Sequence, residues 1–249
     1  MLTMLLALAA GLPPKPVVPV QYHLTTKTVT DVDMSAMGSG VQSFVITLSA
    51  YVTVTVSDSG QGYLVHVVID SSTFDGGSAA AMLPPEMLAD PKGAFYHIYV
   101  VNGKAQGVLT PTPAVVQAAQ LAPALALLLP GFRAAKAGDS WADTTSADST
   151  VSRAGVTANT SGRSITVWTV TAADGGVKQI DGVTAGTTSV GGAQMQMDIQ
   201  LNGTSHTVAP AGELATTATS KVAGQANMSI AGNAVPMKMT VEMTATRIP

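Results

Sequence analysis

Two stretches near the end of the chain decide the fold: MQMDIQL at residues 195–201 and MKMTVEMT at residues 237–244. In both stretches, methionines and aliphatic residues alternate with polar residues, so that every second side chain is apolar. A period of two is typical of a β-strand that buries one face and exposes the other to water. The two stretches therefore predict long strands with methionine on the buried face, and this face carries no catalytic group.

The same alternation runs through most of the chain. In the first half it predicts strands over 20–34, 42–57 and 61–74, and a hairpin over 94–109 that turns at Asn102-Gly103. Residues 78–92, between these strands, are predicted to form a short helical excursion that is broken at Pro84-Pro85. Beyond Asp139 the alternation predicts strands at 148–157, 163–173, 176–190, 193–201, 204–209, 213–231 and 235–248, with turns at Asp174-Gly175-Gly176, Gly191-Gly192, Asn202-Gly203 and Gly232-Asn233. Consecutive hairpins of this kind form an antiparallel meander.

One segment between the two β halves has helical character. Thr112 and Pro113 suit a helix start, Pro123 would kink or split the helix, and Pro130-Gly131 would end it. The predicted helix is apolar on nearly every side, and a helix of this kind is either buried or lies in lipid. The sequence thus predicts a mainly β fold, in which about 10–11 long strands form one large curved antiparallel sheet or incomplete barrel, with the helical segment as a plug or lid over its apolar concave face.

A single β domain is expected over residues 20–249, in two halves, 20–110 and 139–249, joined by the helical segment 112–130. Residues 1–12 are a short apolar run that is interpreted as a signal peptide whose basic start is missing, or alternatively as a buried N-terminal helix. If this run is retained, it could anchor the protein in an interface, since it is shorter than the about 20 residues that span a bilayer. Residues 13–19 form a stiff, proline-rich arm.

Composition excludes several classes of function. Charged residues make up 11% of the 249 residues and hydrophobic residues 46%, with mean hydropathy +0.32, which is typical of an exported bacterial β protein. The net charge is −3 and the 12 Lys and Arg are spread along the chain, so the basic patch that nucleic-acid binding needs is lacking. Because there is no cysteine, disulfides, thiolate chemistry and cysteine-based metal sites are excluded.

A local motif follows the helical segment. Leu129-Pro130-Gly131-Phe132 is followed by Gly138-Asp139-Ser140-Trp141, and together the two blocks resemble the signature of an uncharacterised family of secreted bacterial β-sheet domains. The resemblance covers only these blocks and implies an exported β protein in two halves with no assigned chemistry. From the residues themselves, Gly138 would supply a turn conformation, Asp139 would hydrogen-bond the turn and Trp141 would pack under the returning sheet.

The reactive residues do not form a recognisable active site. Gly138-Asp139-Ser140 also resembles the nucleophile block of GDS-type lipases, but Trp141 stands where that family has Leu, and His206 has no Asp shortly before it. The four histidines, His23, His66, His97 and His206, lie on four different predicted strands without metal-ligand spacing. We therefore interpret the histidines as structural, and we expect no enzyme, no cofactor and no metal site.

Two functions from different classes remain open. In the first, the protein is a non-catalytic, extracytoplasmic structural or assembly subunit that docks on the periplasmic face of a membrane protein complex. It is similar in kind to the membrane-extrinsic subunits of large complexes such as photosynthetic reaction-centre and antenna assemblies. The expected partner or membrane contacts are apolar or proline residues of the N-terminus and the helical segment, namely Leu5, Leu6, Pro13, Pro14, Pro16, Leu125, Leu128, Leu129 and Phe132.

The alternative is a periplasmic carrier of a lipid or another apolar ligand. Flexible, polarisable thioethers suit irregular apolar ligands, and the methionines of the alternating strands could line a cavity in the half-barrel. The candidates are Met195, Met197, Met237, Met239 and Met243. The competing interpretation is that these methionines fill the core of a protein with only 4% aromatic residues.

Overall fold

The computed structural model describes residues 18–35, 38–82, 88–107, 109–153, 156–192, 195–230 and 233–249. These residues form eleven strands: β1 (Val20–Asp33), β2 (Val41–Asp58), β3 (Tyr63–Asp75), β4 (Phe95–Val101), β5 (Lys104–Gln106), β6 (Ser140–Arg153), β7 (Val156–Asp174), β8 (Val177–Gly192), β9 (Met195–Pro210), β10 (Thr217–Ile230) and β11 (Asn233–Arg247). One α-helix, α1 (Val116–Ala126), and two short 3-10 segments, Gly77–Met82 and Leu129–Phe132, complete the described structure. The predicted mainly β fold with a short helical segment is confirmed.

All eleven strands belong to one antiparallel sheet in the order β5-β4-β3-β2-β1-β11-β10-β9-β8-β7-β6. Strands next to each other in sequence are paired within each half, and β1 pairs with β11 to join the two halves. The sheet curves until its edge strands approach each other at one end, where Lys104 Nζ of β5 lies 4.0 Å from Asp143 Oδ1 of β6. The result is a barrel that is nearly closed.

Two predicted boundaries are corrected by the structure, and a third segment is described only in part. Asn202-Gly203 is not a turn, because β9 runs straight through it; a Cβ on Gly203 would meet the Lys221 carbonyl oxygen at 2.9 Å, so this glycine lets β10 approach closely. The strand predicted from 148 already begins at Ser140. Of the excursion predicted over 78–92, the structure shows the 3-10 segment Gly77–Met82, while Pro84-Pro85 lies outside the described residues.

The helix also differs from its prediction. It begins at Val116, after Val115 as N-cap, because Thr112 instead forms a β-bridge with Phe95. Pro123 lies inside the helix and does not split it. No helix in the described ranges is long and apolar enough to cross a bilayer.

The helical segment fills one end of the curved sheet, which we call the plugged end. Leu121, Leu125 and Leu128 are buried there against the strands. Main-chain carbonyls of the segment accept buried hydrogen bonds from the Tyr96 hydroxyl (to Ala118), the Thr207 hydroxyl (to Leu127, 3.3 Å) and the Ala215 N–H (to Leu128, 3.0 Å). These bonds satisfy backbone groups that would otherwise be costly to bury.

Ionisable groups at the plugged end reflect this burial. Burial raises the pKa of Tyr22 to about 12, and the Tyr22 hydroxyl donates to the Ala215 carbonyl at 2.7 Å. Burial likewise raises the pKa of Tyr96 and lowers the pKa of Lys178, whose ammonium donates to the Arg133 carbonyl at 2.6 Å. Such groups belong to a water-poor core.

Candidate functional site

The concave face of the sheet continues beyond the helical segment. At this open end, the inward residues of β9, β10 and β11 form an apolar surface that we call the methionine floor. It consists of Met197, Ile199, Leu201, Met228, Met237 and Met239.

Strand register brings the six residues of the floor together. Met197 is paired with Met228 across β9 and β10. Ile199 and Met237 are both paired with Ala226, from either side of β10. Because directly opposed residues on paired strands share a face, residues separated by about 40 positions in sequence form one continuous surface.

Gly224 sets the shape of the floor at its centre. Leu201 and Met239 are both paired with this glycine, which is buried. A Cβ at Gly224 would meet Ile199 Cγ2 at 3.2 Å, Leu201 Cδ2 at 3.3 Å and Met239 Cε at 3.4 Å. The three side chains therefore lean over the glycine from both neighbouring strands and cover the backbone of β10.

The floor is separate from the main core. Val222 and Val241, one rung closer to the plugged end, still pack against the core cluster, whereas the members of the floor do not belong to it. All members except Ile199 keep part of their surface exposed, while Ala226 and Val235 on the same face are buried. An apolar surface that is concave and half-exposed is the usual lining of an apolar binding site.

Polar residues border the floor on the β8 side. Thr188 is paired with Ile199, and Thr184 is paired with Gly203 and hydrogen-bonded to Thr166 of β7 at 2.8 Å between the hydroxyl oxygens. On the β1 side, Thr30 is paired with Met239 of β11 and, across its other edge, with Phe44 of β2. The arrangement offers apolar contact at the centre and hydroxyl groups at the margin.

The structure places the methionines that the sequence predicts as cavity candidates in different surroundings. Met197, Met237 and Met239 lie on the floor and are half-buried. Met243 is only 7% exposed and belongs to the main core, so for this residue core filling is the correct interpretation. The side chain of Met195 lies outside the described residues. Gly224, which sequence reasoning missed, could have been flagged as a glycine inside a strand pattern.

The expected contact residues of the helical segment require a correction. Leu125, Leu128, Leu129 and Phe132 are buried in the protein's own core, and Phe132 stacks on Tyr63 with ring centroids 4.6 Å apart. The curvature of the sheet covers this segment, so these four side chains are not available to a partner or a membrane. Leu5, Leu6, Pro13, Pro14 and Pro16 lie outside the described residues.

The Gly138-Asp139-Ser140-Trp141 block has the structural roles inferred from its residues. Gly138 has φ +89°, and the Asp139 carboxylate accepts a hydrogen bond from the Lys136 N–H at 2.9 Å, which closes the turn before β6. Ser140 is hydrogen-bonded to Thr169, and Trp141 lies in the core beside Trp168. The block is therefore a turn followed by the start of a strand.

The convex face carries a hydrogen-bonded His–Asp pair and an ion pair on adjacent rungs. His206 Nδ1 lies 2.6 Å from Asp181 Oδ1, and Lys221 Nζ lies 2.8 Å from Glu242 Oε1. The hydrogen bond from Lys221 lowers the pKa of Glu242. Both pairs border a shallow groove of about 590 Å³. The sequence did not predict the pairing of Asp181 with His206, because strand register brings them together over 25 positions.

The convex face also holds a histidine–serine pair. His23 Nε2 lies 2.6 Å from Ser49 Oγ, and the Tyr51 ring stacks on the imidazole. Two strands, β10 and β11, separate His23 on β1 from His206 on β9, which is about 14 Å at ordinary strand spacing. The acid–imidazole pair and the imidazole–hydroxyl pair therefore do not combine into a triad.

Comparison with known proteins does not identify a family for this chain. No family model matches the sequence, and no curated protein matches it. Among solved structures, a triple mutant of the Rhodopseudomonas blastica porin is similar over 93% of this chain and 100% of its own, at 8% identity and a TM-score of 0.28. A second mutant of that porin gives 10% identity with the same coverage and TM-score. Superpositions this loose do not bear on function, which has to be inferred from this chain's own residues.

Proposed function

We propose that this protein is a non-catalytic, extracytoplasmic binding protein that holds the acyl chain of a lipid, or a similar apolar ligand, on the methionine floor. The observation that carries the proposal is that four methionines and Leu201 on the concave face of β9–β11 stay half-exposed beyond the packed core. In water such a face is costly, and an apolar ligand would remove that cost.

The chemistry of the floor suits a flexible chain. Methionine side chains have three rotatable bonds and a polarisable sulfur, so they adapt to ligands of different shape. Each ligand methylene buried would contribute about 0.8 kcal/mol. The threonines at the margin, such as Thr184 and Thr188, could hydrogen-bond a polar headgroup.

Native mass spectrometry of the protein isolated from its own cells tests the proposal directly, because a bound lipid would appear as a mass increment. Only the bare polypeptide mass, together with no saturable binding of a fluorescent fatty acid in solution, would contradict it.

A double variant, Met237→Gln with Met239→Gln, tests the location of the site. We expect it to bind the fluorescent fatty acid at least 10-fold more weakly, since two amides replace apolar contacts at the centre of the floor. The matched control is Val183→Gln, which places the same amide on the convex face, where Val183 is 61% exposed. Equal affinity of the double variant and the wild type would place the ligand elsewhere.

Docking as a subunit of a periplasmic membrane complex, such as a photosynthetic assembly, is the second candidate. It is favoured by outward-facing Val167 and Val183, which are paired on β7 and β8 and are 45% and 61% exposed, with Ile165 one rung away. Exposed apolar patches often mark interfaces. Mild-detergent extraction of membranes should recover a stoichiometric partner with the wild type but not with Val167→Ser/Val183→Ser. Recovery of a monomer alone would contradict this role.

A further inference from the structure

Two histidines face each other across neighbouring strands on the convex side of the first half. His66 of β3 is directly paired with His97 of β4, and their ring centroids are 4.6 Å apart. The pair lies on the opposite face of the sheet from the core residues Val65, Val67 and Ile98. It is therefore separate from the methionine floor and from the plugged end.

A third ring holds the pair in position. Phe95, two residues before His97, has its ring centroid 5.1 Å from His97 and 5.6 Å from His66. Contact with both imidazoles restricts their rotation. The two rings thus already lie side by side, which would reduce the entropic cost of binding one ligand between them.

The hydrogen bonding of His66 differs from that of His23 and His206, which also lie on the convex face. His23 is hydrogen-bonded to Ser49, and His206 is hydrogen-bonded to Asp181. His66 Nδ1, in contrast, is buried and has no hydrogen-bond partner in the described part of the chain. A buried polar atom without a partner is costly, and a bound ion is one way to satisfy it.

We propose that His66 and His97 together bind one divalent transition-metal ion, with Cu(II) preferred. With metal–nitrogen bonds of about 2.0–2.1 Å and a ring radius of about 1.2 Å, two imidazoles at right angles around one ion have centroids about 4.6 Å apart. A tetrahedral angle would need about 5.3 Å by the same geometry. The observed spacing of 4.6 Å lies within reach of two imidazoles on one ion, and Cu(II) is the divalent first-row metal that such nitrogen sites bind most tightly.

The described residues contain no group of three or more His, Asp or Glu side chains that could hold a metal ion. Water would therefore complete the coordination of an ion on this histidine pair. The ion would enter on the side of His97, which is exposed, because His66 Nδ1 itself is buried.

Titration of the full chain with Cu(II) tests the site, using calorimetry at pH 7.5 with glycine present to mask sites that offer a single ligand. We expect one ion per chain, and an electron paramagnetic resonance spectrum with equatorial nitrogen ligands. His97→Ala leaves His66 as the single imidazole ligand and should lower the affinity for Cu(II) roughly 100-fold. The reason is that a second imidazole no longer binds the same ion at high effective concentration. His97 is exposed, so this variant should keep the fold, which circular dichroism checks.

The matched control is His206→Ala, which removes a convex-face histidine from outside the pair and should leave Cu(II) affinity unchanged. Cu(II) should also raise the melting temperature of the wild type and of His206→Ala, but not that of His97→Ala. Equal affinity of the wild type and His97→Ala would overturn the proposal, and so would an equal loss in His206→Ala.

Discussion

The plugged end and the open end of the sheet are built from the same strands but differ in what covers their concave face. On β11, Ala245 is fully buried and Met243 is 7% exposed, whereas Met239 and Met237 are half-exposed. The alternation of side chains is the same at both ends, because it only requires that every second residue face inward. The difference teaches that one helical segment covers only part of a sheet this long.

The two ends also differ in how they are held together. At the plugged end, Thr207 donates to the helical segment, and Tyr22 donates to Ala215 in the β9–β10 loop, which is itself hydrogen-bonded to that segment. At the open end, the floor is held by lateral contacts between side chains, such as Leu201 and Met239 leaning over Gly224. The first end should therefore be rigid, and the second should be more adaptable.

Truncating one apolar side chain at each end should give the largest difference in unfolding free energy between the two ends. Leu128→Ala empties a site that is 1% exposed and should cost about 4 kcal/mol of unfolding free energy. Met239→Ala, in the half-exposed floor, should cost about 1 kcal/mol or less. Urea denaturation of the ligand-free proteins measures both values. Similar costs would mean that the open end is packed as a core.

Adding one methyl group at each end should give a smaller difference in unfolding free energy between the two ends. A Cβ on Gly131 would overlap the Glu213 carbonyl oxygen and lie 2.6 Å from Ala209 Cβ, so Gly131→Ala should cost about 3 kcal/mol. Gly224→Ala meets only the tips of flexible side chains and should cost about 1 kcal/mol or less. Urea midpoints check both variants. A larger loss for Gly224→Ala would contradict an adaptable floor.

The sheet could be predicted from the sequence because alternation in 195–201 and 237–244 leaves no other regular structure. Asn202-Gly203 was mistaken for a turn, since composition does not distinguish a glycine that bends the chain from one that lets a neighbouring strand approach. The sequence also showed that the segment around Leu125 and Leu128 must be covered, but whether its own sheet or a partner covers it depends on curvature, which a local pattern does not encode.

The sites were less predictable for the same reason. The sequence predicts Met197, Met237 and Met239 as candidates because they alternate within single strands. The pairs His66–His97 and Asp181–His206 were not found, because a shift of register by one residue would place their members on opposite faces. Register depends on the lengths of the loops and on packing across the whole sheet.

The smallest contrast at neutral pH concerns one hydroxyl group. Tyr22→Phe leaves the Ala215 carbonyl without its hydrogen bond and should cost about 1–2 kcal/mol at pH 7, whereas Tyr51→Phe, on the convex face, should stay within about 0.5 kcal/mol. In the folded protein the pKa of Tyr22 is raised to about 12 from 10. The unfolded chain therefore loses this proton first.

The stability linked to Tyr22 is fully present below pH 10 and is lost as the pH rises from 10 to 12, by roughly 2–3 kcal/mol. Urea unfolding across this pH range should show a smaller loss of stability in Tyr22→Phe than in the wild type. The same steep loss in both proteins would show that other groups set the alkaline limit, and that the plugged end does not depend on keeping this hydroxyl protonated.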